Sequence, residues 1–353
     1  MLRIIDDRVA LAGFLSGGAN GKPVAIDTEA DSLHRYRESL CLVQFAHGEK
    51  CVLIDPLAID DLGPLAECLA RCETWMHGAD YDMTMLQRAF GVLPPMVWDT
   101  QIGARLLGHR KFGLGDLVEH FFGVKLSKSS QKADWGRRPL SEEMIEYALN
   151  DVRYLLPMGE RIVAELKERG RYDWFVESCR AARERVLERD DSREEAWRIK
   201  GAGKLDRRGL AFLKELWHWR DEEARSWDRP SFMVANNRDL LQWSIDLAAG
   251  RKVEFPKHFR SGRIRRFMSA VKRARALPPE QLPERPQGKR RRRNAAFEQR
   301  LDALIAARNT AASSLDIEPS LIAPRSILEQ LAAEEAQPAD LLLNWQLHSL
   351  NLP

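Results

Sequence analysis

The chain has 353 residues, 44% of them hydrophobic and 30% charged, an ordinary soluble composition long enough for two or three domains. No stretch approaches the ~20 consecutive apolar residues of a membrane span, so none is expected. A formal net charge of +3 conceals an asymmetry: residues 257–293 hold 14 Lys and Arg against Glu280 and Glu284 alone, an electropositive element suited to a polyanion or, more plainly, a solvated basic face.

The opening MLRIIDDRVALAGFLSGG reads as a short strand and an amphipathic helix. Asp6 and Asp7 precede its apolar stretch, where a signal peptide would place positive charge. Residues 24–27 form an apolar strand, and the runs 40–46 and 51–55 form a hairpin around HGEK. A further strand is predicted at 74–77. Residues 81–90 follow with helical apolar spacing at Met85, Leu86 and Ala89, closed by Gly91 as a C-cap. Alternating strands and helices predict a mixed sheet flanked by helices.

Residues 125–139, KLSKSSQKADWGRRP, are polar and basic. They suit either an ordinary surface loop or a grip on phosphates by Lys128, Lys132, Arg137 and Arg138, with Trp135 stacking on a base or simply packing. Ser141 then N-caps a helix carrying Glu142 and Glu143 in its first turn, and Pro157 interrupts it beyond Arg153. Residues 162–200 read as a charged connecting helix with a solvated face. The rest is helical by pattern, with Leu210, Leu213, Leu216, Trp217 and Arg220 spaced along one helix and an N-cap at Asn236 or Asn237. A weaker echo follows: a helix at 297–307 and then EPSLIAPRSILEQL. Pro230-Ser231-Phe232 matches Pro319-Ser320-Leu321, and Arg238 with Leu240 and Leu241 parallels Arg325 with Ile327 and Leu328.

Five acidic or phenolic positions stand out. Asp27 and Glu29 are two apart on a strand and project to one side. Tyr147 and Asp151 are four apart on a helix and share a face. Asp82 sits in HGADYDMTML, where a helix N-terminus also favours an acid. Carboxylates converging from a strand and two helices suit hard divalent cations, and two such ions roughly 4 Å apart can clamp a phosphoryl displacement. Each piece alone is more often structural; their order, context and spacing together are specific.

That set resembles the DEDD 3′→5′ exonucleases of the tyrosine subclass: AIDTEAD the first motif, HGADYDMTML the second, YALNDVRYL the third. WDTQIGARLLG and KSSQKADWGRRPLSEEMIEYALND resemble bacterial ribonuclease D. The resemblance implies a ribonuclease H-like α/β exonuclease domain with its carboxylates at one edge. Asp27, Glu29, Asp82 and Asp151 would ligate two Mg²⁺ or Mn²⁺ ions, Asp82 directly or through water, and Tyr147 would orient the attacking water. The helical half resembles two HRDC domains, the second more degenerate.

The implied organisation is an exonuclease domain at 1–170, a connecting helix at 171–200 and HRDC-like units at 201–278 and 295–353, joined by a basic Pro-rich linker at 279–294. Its KRRRR run reads as an RNA-contacting arm. Cys41, Cys51, Cys68, Cys72 and Cys179 form no CxxC pair, which favours a reduced cytoplasmic protein. The expected activity is a metal-dependent 3′→5′ exoribonuclease that releases nucleoside 5′-monophosphates and trims tRNA precursors, working as a monomer away from membranes. The alternatives are a DNA exonuclease of the same fold and a catalytically silent RNA-binding protein.

Overall fold

The computed structural model describes residues 4–16, 22–189, 195–285 and 294–352. The KRRRR run lies outside them. The described chain divides by its contacts into two compact units, one drawn from 1–30, 40–189 and 291–353, the other from 31–39 and 190–290.

The first unit is built on strands β1 (Ile4–Ile5), β2 (Val24–Ala30), β3 (Leu40–His47), β4 (Lys50–Ile54), β5 (Thr74–Met76) and β6 (Val97–Asp99). Their order is β1-β4-β3-β2-β5-β6. The strands β4, β3 and β2 pair antiparallel, while β1 joins β4, and β5 and β6 extend from β2, in parallel. This is the expected mixed sheet. Strand β2 runs further than its apolar stretch, so Asp27 and Glu29 lie within it, and a bulge follows between Glu29 and Ala30.

Helices α1 (Arg8–Ser16), α2 (Gly63–Leu69) and α3 (Asp80–Phe90) cover one side of the sheet, where Val24, Ile26, Val43, Phe45 and Ile54 meet Leu11, Leu65 and Leu86. Gly91 caps α3 at φ 69°, a left-handed conformation that a Cβ would penalise. On the other side lie α4 (Thr100–Leu106), α5 (Leu114–Phe122), α6 (Glu142–Arg153), α7 (Leu155–Glu168) and α8 (Tyr172–Leu187). The strand period of two sends Ala25, Asp27 and Glu29 towards this side. Gly159 lets α7 lie directly on Trp75, since a Cβ there would approach the indole to 2.6 Å.

Two expectations change in the helical half. The segment read as a solvated connector contains α8, whose Phe175 and Cys179 are buried in the core with Trp75 and Trp98. A charged composition hid this because apolar residues are needed on one stripe only.

The second unit contains α9 (Arg207–Trp227), α10 (Ser231–Val234), α11 (Asn237–Ala248) and α12 (Ser261–Ala276) around Trp219, Trp243 and Phe267. The repeat, α13 (Ala295–Leu315), α14 (Pro319–Ile322) and α15 (Arg325–Ala332), belongs to the first unit with α16 (Pro338–Leu341) and α17 (Asn344–Leu350). There Phe297, Ile317 and Trp345 share the core that holds Trp75, and Arg171 donates to Leu315 O at 2.7 Å.

The duplication itself is clear. Helices α9 and α13 are both 21 residues long and end in left-handed aspartates, Asp228 (φ 47°) and Asp316 (φ 49°). Arg220 donates to Ala235 O, and Arg308 to Ala323 O, each at 3.2 Å. These equivalences share one spacing, which pairs Ser231 with Pro319, Asn237 with Arg325 and Leu240 with Leu328, so the sequence alignment of the two prolines and that of Arg238 with Arg325 are each displaced by one residue, in opposite directions. Pro230 is the N-cap of α10 and Pro319 the first residue of α14; both positions tolerate a missing N–H.

Candidate active site

Strand β2 and helix α6 supply the centre. Ser141 caps α6 by accepting from Met144 N at 3.2 Å, and Glu142 and Glu143 occupy its first turn, as its sequence predicts. Tyr147 and Asp151 therefore face the sheet on adjacent turns, before the chain breaks at Tyr154 into α7. Asp27, Glu29 and Asp151 each offer an oxygen such that the three lie within 4.8 Å of one another. The Tyr147 phenol lies beside Asp151, close enough that each group shifts the other's pKa.

Asp82 stands apart from that triple. Its Oδ1 accepts from Thr28 N at 2.9 Å and Thr28 Oγ1 at 2.6 Å. Yet it is near enough that its charge raises the pKa of Asp27, Glu29 and Asp151. The entry to α3 is fixed by Asp99, which accepts from Gly78 N at 2.9 Å, Ala79 N at 3.0 Å and Gln101 N at 2.8 Å.

Crowding shapes the electrostatics. Burial, then Asp82, Asp151 and Glu29, hold Asp27 well above the usual carboxylate range. Glu29 is pushed up to about 9 by burial, then by Asp151 and Asp82. Asp151 rises to about 7 through burial and Asp82, opposed by the neighbouring Tyr147 phenol. Asp82 rises only to about 6, because burial is countered by the two Thr28 bonds. Burial raises Tyr147 too, with Asp151, Glu29 and Asp27 adding to it, so its phenol by itself is a poor base.

An all-oxygen donor set whose carboxylates repel one another fits a hard divalent cation, which would relieve the repulsion and accept the oxygens.

The basic loop divides. Lys128, Lys132 and Arg137 are exposed. Trp135 is instead 1% exposed, its ring 6.0 Å from that of Tyr147, so it packs rather than stacking on a base. Arg138 is committed to buried Asp55 through two bonds of 2.5 and 2.6 Å and to Cys41 O at 2.8 Å, so it is not available to phosphates. Sequence reasoning missed Thr28, Asp55 and Asp99. Thr28 carried a signal, a hydroxyl on a buried β-strand position between two site carboxylates.

The 3′–5′ exonuclease family matches residues 2–167 of the chain. Ribonuclease D of Cronobacter turicensis is 35% identical over 284 residues, covering 78% of this chain and 76% of that protein. The chain belongs to the ribonuclease D family of 3′→5′ exoribonucleases. Ribonuclease D of Gluconacetobacter diazotrophicus is 31% identical, covering 92% of this chain and 84% of that one. Among solved structures, Escherichia coli RNase D superposes with a TM-score of 0.77 at 28% identity, covering 99% of this chain and 98% of that one. The catalytic core of RRP6 from Trypanosoma brucei gives 0.62 at 25% identity, covering 78% and 81%. Membership of the family makes this chain a hydrolase that uses divalent metal. No helix among the described residues is long and apolar enough to cross a membrane, and the five cysteines are unbridged.

Proposed function

We propose that this ribonuclease D removes nucleotides one at a time from the 3′ end of tRNA precursors, as a cytoplasmic monomer, and that Asp27, Glu29, Asp82, Asp151 and Tyr147 carry the reaction. The observation that carries this reading is the convergence of Asp27, Glu29 and Asp151 within 4.8 Å, with the Tyr147 phenol beside Asp151. Asp27, Glu29 and Asp151 would hold one divalent ion, Mg²⁺ or Mn²⁺, and Asp27 with Asp82 a second. Such ions lower the pKa of a coordinated water and stabilise charge on a departing 3′ oxygen.

The protein's own groups do the rest. Tyr147 keeps its proton and directs its hydroxyl into the site, where it orients water. Trp135 backs its ring and restricts its rotation. Exposed Lys128, Lys132 and Arg137 lie on the loop preceding α6 and suit phosphate contacts along the entering strand. The HRDC-like helical repeats, with exposed Arg265, Lys272 and Arg275 on α12, suit the structured body of an RNA.

The test is Mg²⁺- or Mn²⁺-dependent shortening of a 3′-extended tRNA transcript beside matched single-stranded DNA, with Asp27→Ala as control. Stepwise loss of the tail, reduced at least ~10⁴-fold in the variant while RNA binding persists, is expected. Faster shortening of DNA would replace the RNA reading with that of a DNA exonuclease. Retained turnover in Asp27→Ala would remove Asp27 from the machinery.

A further inference from the structure

Strand β3, LCLVQFAH, is buried along its whole length, and its centre is an amide. Gln44 is 0% exposed, and among the described residues neither its Oε1 nor its Nε2 has a hydrogen-bond partner. Its neighbours across the sheet are Asp27 on β2 and Leu53 on β4. Directly opposed residues share a face with Cβ atoms ~5 Å apart, so Gln44 points to the same side as Asp27. This side also carries apolar Leu42, Leu53 and Ala148 in one cluster and Ala25 and Ala46 in the next, and beyond Asp27 its polar groups are Glu29, Tyr147 and Asp151.

A buried amide left unpaired carries the full cost of losing its water, whereas a methionine or leucine of similar volume would carry no such cost. Stability alone therefore argues against glutamine here. The polar side chain facing it across the strand pair is Asp27, and a carboxamide offers two N–H donors to a carboxylate. A carboxylate that ligates a cation through one oxygen needs a donor on the other to hold its plane.

We infer that Gln44 is a positioning residue of the metal site, its Nε2 donating to the Asp27 carboxylate when a divalent cation is bound and so fixing the oxygen that faces the ion. This rests on the metal-site reading above. Gln44 touches neither substrate nor reacting atoms; it acts through Asp27.

The experiment compares full-length wild type, Gln44→Met and Gln44→Leu by Mn²⁺ titration with electron paramagnetic resonance, and by thermal melting in chelator. Both variants are expected to bind Mn²⁺ ~10–100-fold more weakly and, without metal, to melt at or above wild type. Unchanged Mn²⁺ affinity in either folded variant overturns the inference. A lower melting temperature in chelator with unchanged affinity would make Gln44 a packing residue only, and also overturns it. If the wild type itself bound no Mn²⁺, the metal-site reading would fall first and this inference with it.

Discussion

Thr28 and Asp82 meet at a single oxygen: the backbone N–H and the hydroxyl of Thr28 both donate to Asp82 Oδ1, at 2.9 and 2.6 Å. The bond ties the first motif's strand to the second motif's helix across 54 positions. Thr28 points away from Asp27 and Glu29, so one strand segment serves the site from both faces. Replacing its hydroxyl with a methyl group, in Thr28→Val, leaves the backbone bond and the volume intact. We expect a loss of about 2 kcal/mol in urea unfolding at neutral pH. A rise in the Mg²⁺ concentration needed for half-maximal activity should accompany it, since Asp82 would hold its proton more tightly. An unchanged Mg²⁺ requirement would show that Asp82 is set by the backbone bond alone.

Tyr147→Phe removes the phenol hydroxyl beside Asp151 while keeping the ring against Trp135. Single-turnover hydrolysis should slow by ~10²-fold, the lower range for a positioned proton-handling group. Mn²⁺ affinity should stay within about twofold, since no proposed ligand is altered. A rate equal to wild type would deny Tyr147 a part in the reaction.

The carboxylate shifts set a pH dependence with a definite sign. Glu29 titrates at about 9 and Asp151 at about 7 in the folded protein, both above their values in an unfolded chain. The folded state therefore binds more protons, and the metal-free protein loses stability as pH rises from ~4.5 towards 9. Cations replace those protons. The difference in melting temperature between Mg²⁺ and chelator should widen steadily from about pH 5.5 to about 8.5. A gap independent of pH would mean that the cation does not displace protons from this cluster.

Arg138 and Lys128 share a loop but differ in role. Arg138 neutralises Asp55, whose side chain is 7% exposed. Arg138→Met should destabilise the protein by about 3 kcal/mol, because a buried carboxylate loses its partner. Lys128→Ala should leave unfolding unchanged and raise KM for RNA, more at low salt than at high. If Arg138→Met kept full stability and only weakened RNA binding, the two residues would belong to one surface after all.

Much of this was legible before any coordinates. The alternation of Asp27 and Glu29 on β2 and the four-residue step from Tyr147 to Asp151 on α6 follow from local geometry, as do Ser141 as a cap and Gly91 as a helix end. These features depend only on neighbours a few residues away, so spacing reveals them. The internal repeat was legible too, though its two aligned segments were each displaced by one residue, in opposite directions.

The tertiary structure decided what depends on residues far apart in the chain. It buried Trp135 against Tyr147 and spent Arg138 on Asp55, although both sat in a stretch whose composition looked uniformly solvated. It drew α8 and the second repeat into the core of the exonuclease unit, because an apolar stripe says that a helix must pack but not against what. It set Gln44 opposite Asp27, a pairing fixed by strand register and invisible to spacing. The sequence by itself determined the chemistry of the side chains and their local directions. Only the long-range packing decided which of them share a site, since burial and pairing are set by elements that the chain brings together from tens to hundreds of residues apart.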